Sequence, residues 1–287
     1  MTAGNQILIG LLIMIGSEAL TLAHVEPFWS WNTPICWTGF IVFADGVVFR
    51  ARGDSWIRSA PREFALLAVA SIPLWLVFEF FNRFIRNWHY VGLPDNPIVR
   101  ELGYAWAFAT IWPAIFEAAE LVGVWKAGQN IPPRPARSAV RPRFRALSVA
   151  FGALLLAWPL LWPSPYLAAP VFLGFIFLLD PINARLGAES LTADLAAGRT
   201  DRLVNLALSG FLCGIFWEFW NYWARTKWHY TVPIMERLKV FEMPVPGYFG
   251  FPAFAVECFT MYVFLRAVVI RLAGSTDNRE LGRTIAL

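Results

Sequence analysis

Trp217-Glu218-Phe219-Trp220-Asn221-Tyr222-Trp223-Ala224-Arg225-Thr226-Lys227-Trp228-His229-Tyr230-Thr231-Val232-Pro233 begins inside an apolar run and leaves it through a dense cluster of aromatics. An earlier stretch follows the same plan: Phe78-Glu79-Phe80-Phe81-Asn82-Arg83-Phe84-Ile85-Arg86-Asn87-Trp88-His89-Tyr90-Val91-Gly92-Leu93-Pro94. In both, Asn follows Glu by three residues, and Trp-His-Tyr begins nine or ten residues after the Glu. The match is too long for chance in an apolar composition, so the chain contains a repeat that carries polar residues into apolar segments.

Composition agrees. Of 287 residues, 57% are apolar and only 15% charged, against about 25% charged in a soluble domain. The balance places the chain in the membrane class. The net charge of +4 is no nucleic-acid signal, because the basic residues lie in short loops between apolar runs. Cys36, Cys213 and Cys258 each sit inside an apolar run and read as small buried residues, not as a disulfide framework. The apolar segment from Ile7 to Ala23 has no basic flank before it, so it reads as a retained first helix, not a signal peptide.

A membrane span needs about 20 mainly apolar residues. Eight segments qualify: roughly 5–24, 34–50, 64–86, 102–125, 146–163, 166–182, 203–225 and 249–271. The expected fold is an all-α, polytopic helix bundle. Lys and Arg collect in cytoplasmic loops. Arg50, Arg52, Arg58 and Arg62, the group from Lys126 to Arg145, then Arg185, Arg199 and Arg202, and finally Arg271, Arg279 and Arg283 fall in alternate loops. Both termini are therefore expected in the cytoplasm of a cell (inner) membrane, with the Trp-His-Tyr clusters at the outer surface.

The Pro- and Arg-rich segment 128–145 reads as a linker between a first repeat, 1–127, and a second, 146–287. Other parts also align: Gly39 to Asp45 with Gly174 to Asp180, and Gly103-Tyr104, Pro113 and Glu117 with Gly247-Tyr248, Pro252 and Glu257. Four helices per half make the repeats parallel, about an axis along the membrane normal.

Each half thus supplies Asp, Glu, Asn and a second Glu: Asp45, Glu79, Asn82 and Glu117, then Asp180, Glu218, Asn221 and Glu257. Ionisable groups at membrane depth are costly, at least about 2.5 kcal/mol on insertion scales, and default to functional candidates. In a dry aromatic pocket such carboxyls can hold their protons near neutral pH. A carboxylic acid can protonate an alkene, and Trp and Phe faces stabilise the resulting cation. The same groups can instead pair with one another, or with Asn and Arg, to fasten the helices. Asp45 and Asp180 lie near the cytoplasmic ends, where Asp45 could meet Arg50 and Asp180-Pro181 could stop its helix. His89 and His229 invite a ligand or macrocycle reading, but each stands between Trp and Tyr at a helix exit, where aromatics anchor the interface. No metal-ligand spacing is present.

At the level of the half-repeat, the chain resembles the lycopene cyclase domain of membrane carotenoid cyclases. The resemblance rests on Glu218, Trp228, Tyr230, Gly247 and Pro252 to Phe259, and on Glu79, Trp88, Tyr90, Gly103 and Pro113 to Glu117. The chain departs from that pattern in carrying a single Glu four or five residues after the Pro, where the family has a pair. It is also similar to small membrane meroterpenoid cyclases. The resemblance implies proton-initiated cyclisation of an isoprenoid without a cofactor, metal or redox change. Glu218 and Glu79 are then the acids, Glu257 and Glu117 set their protonation or take the final proton, and Asn221 and Asn82 orient them. Trp217, Trp220 and Phe81 line the cavity, joined by Trp228, Tyr230, Trp88 and Tyr90. Expected partners are a lipophilic substrate and membrane lipids, and a homo-oligomer or membrane complex remains open. The rival readings are a subunit that binds a carotenoid, quinone or chlorin through His89 and His229, and a proton-coupled transporter.

Overall fold

The computed structural model describes residues 1–126, 141–235 and 237–273. Among them, eight helices are long and apolar enough to cross a membrane: α1 (Ala3–Leu22), α2 (Phe28–Arg52), α4 (Pro61–Ile85), α5 (Pro97–Lys126), α6 (Pro142–Leu161), α7 (Ala168–Arg185), α9 (Asp201–Trp223) and α10 (Gly250–Leu272), the last preceded by a 3-10 turn at Val245–Phe249. The chain is an all-α bundle of membrane-spanning helices. A helix closes all its backbone hydrogen bonds within itself, which is what a hydrocarbon surrounding demands.

Each helix falls within a few residues of its expected span. The largest difference is at α2, which begins at Phe28 and bends at Trp31, where the backbone leaves helical values. Most of the linker expected at 128–145, including Arg134 and Arg137, lies outside the described residues. Its last residues do not belong to a linker, because Pro142 opens α6 at a first-turn position, where its missing N–H costs nothing.

The halves pack alike. α1 lies on α2, α2 on α5 and α4 on α5; correspondingly α6 lies on α7, α7 on α10 and α9 on α10. Glycines set both outer crossings. A Cβ on Gly10 would stand 2.5 Å from the Phe43 backbone nitrogen, and one on Gly152 2.4 Å from that of Leu178. Gly39 and Gly174 complete the two close approaches, each with its carbonyl facing the partner glycine. Small residues at a crossing let helices approach where no hydrophobic effect drives them together.

Two short helices follow the second helix of each half: α3 (Trp56–Ser59) and α8 (Leu191–Ala196). They explain the buried aspartates. Asp45 accepts hydrogen bonds from the Ile57 backbone N–H (2.8 Å) and the Gln6 amide (2.7 Å), and does not meet Arg50. Asp180 accepts from the Leu191 and Thr192 N–H groups (2.6 and 3.0 Å) and from the Ser190 and Thr192 hydroxyls. It does not stop α7, which runs on to Arg185. Both carboxylates hold the start of a short helix, so their place is structural.

The halves meet along α5 and α9 and at two ends. At one, Arg266 of α10 is fully buried between Glu63 of α4 (2.9 Å) and Glu189 (2.7 Å). At the other, strand β1 (Trp88–Val91) pairs antiparallel with β2 (Lys227–Tyr230), one strand from each half. The register puts Trp88 opposite Tyr230, His89 opposite His229 and Tyr90 opposite Trp228, so the ribbon is symmetric about the histidine pair. A small hairpin, β3 (Lys239–Val240) with β4 (Met243–Pro244), belongs to the second half.

Candidate functional site

Side chains alternate across a strand, so the symmetric register sends Trp88, Tyr90, Trp228 and Tyr230 to one face of the ribbon. All four line a cavity of about 550 Å³, together with Trp37, Trp75 and Trp217. Tyr104 and Phe108 of α5, Phe172 of α7 and Phe254 of α10 complete the aromatic wall, so residues of both halves enclose one space. Its volume lies within the range of small-molecule pockets.

Behind this wall sit the two repeat carboxylates. Glu79 Oε1 accepts hydrogen bonds from Trp75 Nε1 (2.9 Å), Trp88 Nε1 (3.1 Å) and the Tyr90 hydroxyl (2.5 Å). Glu218 is fully buried, and its Oε1 accepts from the Tyr230 hydroxyl at 2.8 Å. Its Oε2 is buried without a hydrogen bond, although the Trp228 side chain and the Glu242 backbone N–H lie near. Each tyrosine therefore lines the cavity and touches a carboxyl group. Burial first, and the adjacent carboxylate second, hold the Tyr90 and Tyr230 hydroxyls well above the usual phenol range, so both keep their protons.

The other expected site residues are placed differently. Asn82 and Asn221 do not touch the carboxylates. Asn82 Nδ2 donates to the Trp88 carbonyl (2.8 Å), and its Oδ1 accepts from the N–H groups of Asn87 and Trp88 (2.8 and 3.3 Å). Asn221 does the same for Trp228, donating to its carbonyl and accepting from its N–H, both at 2.9 Å. These amides fasten each strand to the end of the helix before it. They position the tryptophans, not the acids.

Glu117 and Glu257 are fully buried and do not line the cavity. Glu257 lies one turn beyond Phe254 and accepts from the Phe175 backbone N–H at 3.0 Å. Trp220 packs against Trp37 and stacks on Phe216, and Phe81 packs against Phe175 and Phe80. Neither reaches the cavity surface. His89 and His229 occupy the opposite face of the ribbon and do not line the cavity either.

Trp75 is a site residue that stands outside the repeated motif. It lies four residues before Glu79, one helical turn, and that spacing is the signal that would have found it. Tyr104, Phe108 and Phe254 carry no such signal, being aromatics among many.

No protein-family model, curated protein or solved structure matches the chain. Fold and site together define a multi-pass helical membrane protein with an aromatic cavity shared between two similar halves.

Proposed function

We propose that the chain is an integral-membrane isoprenoid cyclase or isomerase. One observation carries this reading: two carboxyl groups, each hydrogen-bonded to a tyrosine that lines a shared apolar, aromatic cavity. A proton leaves a Glu–Tyr pair and forms a C–H bond with a substrate alkene, generating a carbocation. A second alkene of the same substrate attacks it, forming the ring bond. Loss of a neighbouring proton to a carboxylate restores an alkene, so the product is an isomer of the substrate. The aromatic faces of the largely apolar wall stabilise the cation along the way. The substrate class is a lipophilic polyene, a carotenoid or terpenoid chain drawn from the bilayer. The chain sits in the cell inner membrane with both termini cytoplasmic, as the basic loops favour.

The test is conversion of linear isoprenoids in a host that accumulates them. Glu218→Gln and Glu79→Gln are expected to leave abundance unchanged and to lower product by about 10²-fold or more for the pair that supplies the proton. Full activity in both variants would overturn the reading. A coloured protein that retains a stoichiometric pigment in both variants, without turnover, would identify a binding subunit instead.

A further inference from the structure

His89 and His229 come one from each half and are directly opposed in the β1–β2 ribbon. Their ring centroids are 5.9 Å apart, with an interplanar angle of 39°. We propose that this cross-strand pair is a binding site for a borderline divalent cation of the zinc, nickel or copper class. The site lies on the face of the ribbon turned away from the cavity.

Three observations support it. The first is distance. An imidazole nitrogen binds zinc at about 2.0–2.1 Å, which places each ring centroid roughly 3.2 Å from the metal and two rings on a tetrahedral ion about 5.2 Å apart. The observed spacing is within a small side-chain rotation of that value. The second is orientation. His229 Nδ1 bonds to Glu242 Oε2 at 2.7 Å, the carboxylate–imidazole arrangement that fixes the ring and leaves Nε2 as the ligating nitrogen. The third is access: His89 is exposed and His229 half-buried.

Local charge permits a cation. Lys227 lies on the same face as His229, but its ammonium is already met by Glu242 Oε1 at 3.2 Å. Among the described residues, no cluster of three or more His, Cys, Asp or Glu side chains is placed to hold a metal. Water therefore completes the shell, and the site is labile. Two imidazoles with water favour copper over nickel and zinc, and all three over magnesium or calcium.

The experiment is calorimetric titration of the full chain, purified in detergent and stripped with chelator, with Zn²⁺ and Ni²⁺. One ion per chain is expected. His89→Gln and His229→Gln should each abolish binding, His24→Gln should retain it, and Glu242→Gln should weaken it about 10- to 100-fold. With Cu²⁺, electron paramagnetic resonance should show coupling to two imidazole nitrogens, reduced to one in either histidine variant. Thermal transitions without metal establish that each variant is folded, and any that fails is replaced by the corresponding Asn variant. The proposal is overturned if the wild-type chain takes up no zinc at millimolar concentration. It is equally overturned if both histidine variants bind as the wild type does.

Discussion

Glu79 and Glu218 hold equivalent places in the repeat but receive different company. Three donors converge on Glu79, whereas Glu218 has the Tyr230 hydroxyl and an Oε2 left without a hydrogen bond. A hydrogen bond contributes about 0.5–1.5 kcal/mol net, so losing one matters more where there are fewer. Tyr230→Phe is expected to reduce product formation about tenfold more than Tyr90→Phe in the isoprenoid assay. Glu242 yields a prediction in pH. Burial pushes its carboxyl up, but hydrogen bonds from His229 and Lys227 outweigh burial and hold it below the ordinary carboxylate value. A depressed value means that its contribution is present above the unfolded carboxylate value of about 4.3 and fades as pH falls through the lower folded value. Protease cleavage or amide exchange in residues 237–244 should therefore rise only as pH falls below the ordinary carboxylate range. Glu242→Gln should show no such step.

The elements were legible in the sequence to the extent that their cause is local. Eight apolar runs of about 20 residues can only be helices in lipid, and they fall where the runs do. The β1–β2 ribbon was not legible, since each strand has four residues and its partner lies in the other half of the chain. Trp-His-Tyr reads as an interfacial anchor until pairing sends Trp and Tyr to one face and His to the other. The asparagines misled for a related reason. Spacing of three puts Asn82 on the face of Glu79, but its short side chain turns to the backbone where the helix ends, as Asn does at such positions. Asn82→Ala and Asn221→Ala are accordingly expected to lower stability by about 1–3 kcal/mol, seen as an earlier unfolding midpoint, with activity falling because Trp88 or Trp228 moves. The glycine crossings give a stronger outcome. Gly10→Val or Gly152→Val drives a side chain into the backbone of α2 or α7, and folded protein recovered from membranes should drop sharply.

At the scale of the whole molecule, the halves are joined by an ion cluster at one end and a ribbon at the other. Arg266→Met leaves Glu63 and Glu189 facing each other in a buried place, and removing one partner of a buried cluster costs about 3–5 kcal/mol. The variant is expected to unfold at lower temperature in detergent, and Glu63→Gln combined with Arg266→Met should recover part of the loss. The ribbon has a different consequence. A strand that pairs symmetrically about its own central histidine is a strand able to pair with a copy of itself. The arrangement is that of a homodimer carried within one chain: two identical halves meeting through this strand would build the same ribbon. The two copies differ all the same: three donors meet the Glu79 carboxyl and one meets that of Glu218, and the β3–β4 hairpin stands beside the second strand, so a vessel with a symmetric seam has distinguishable sides.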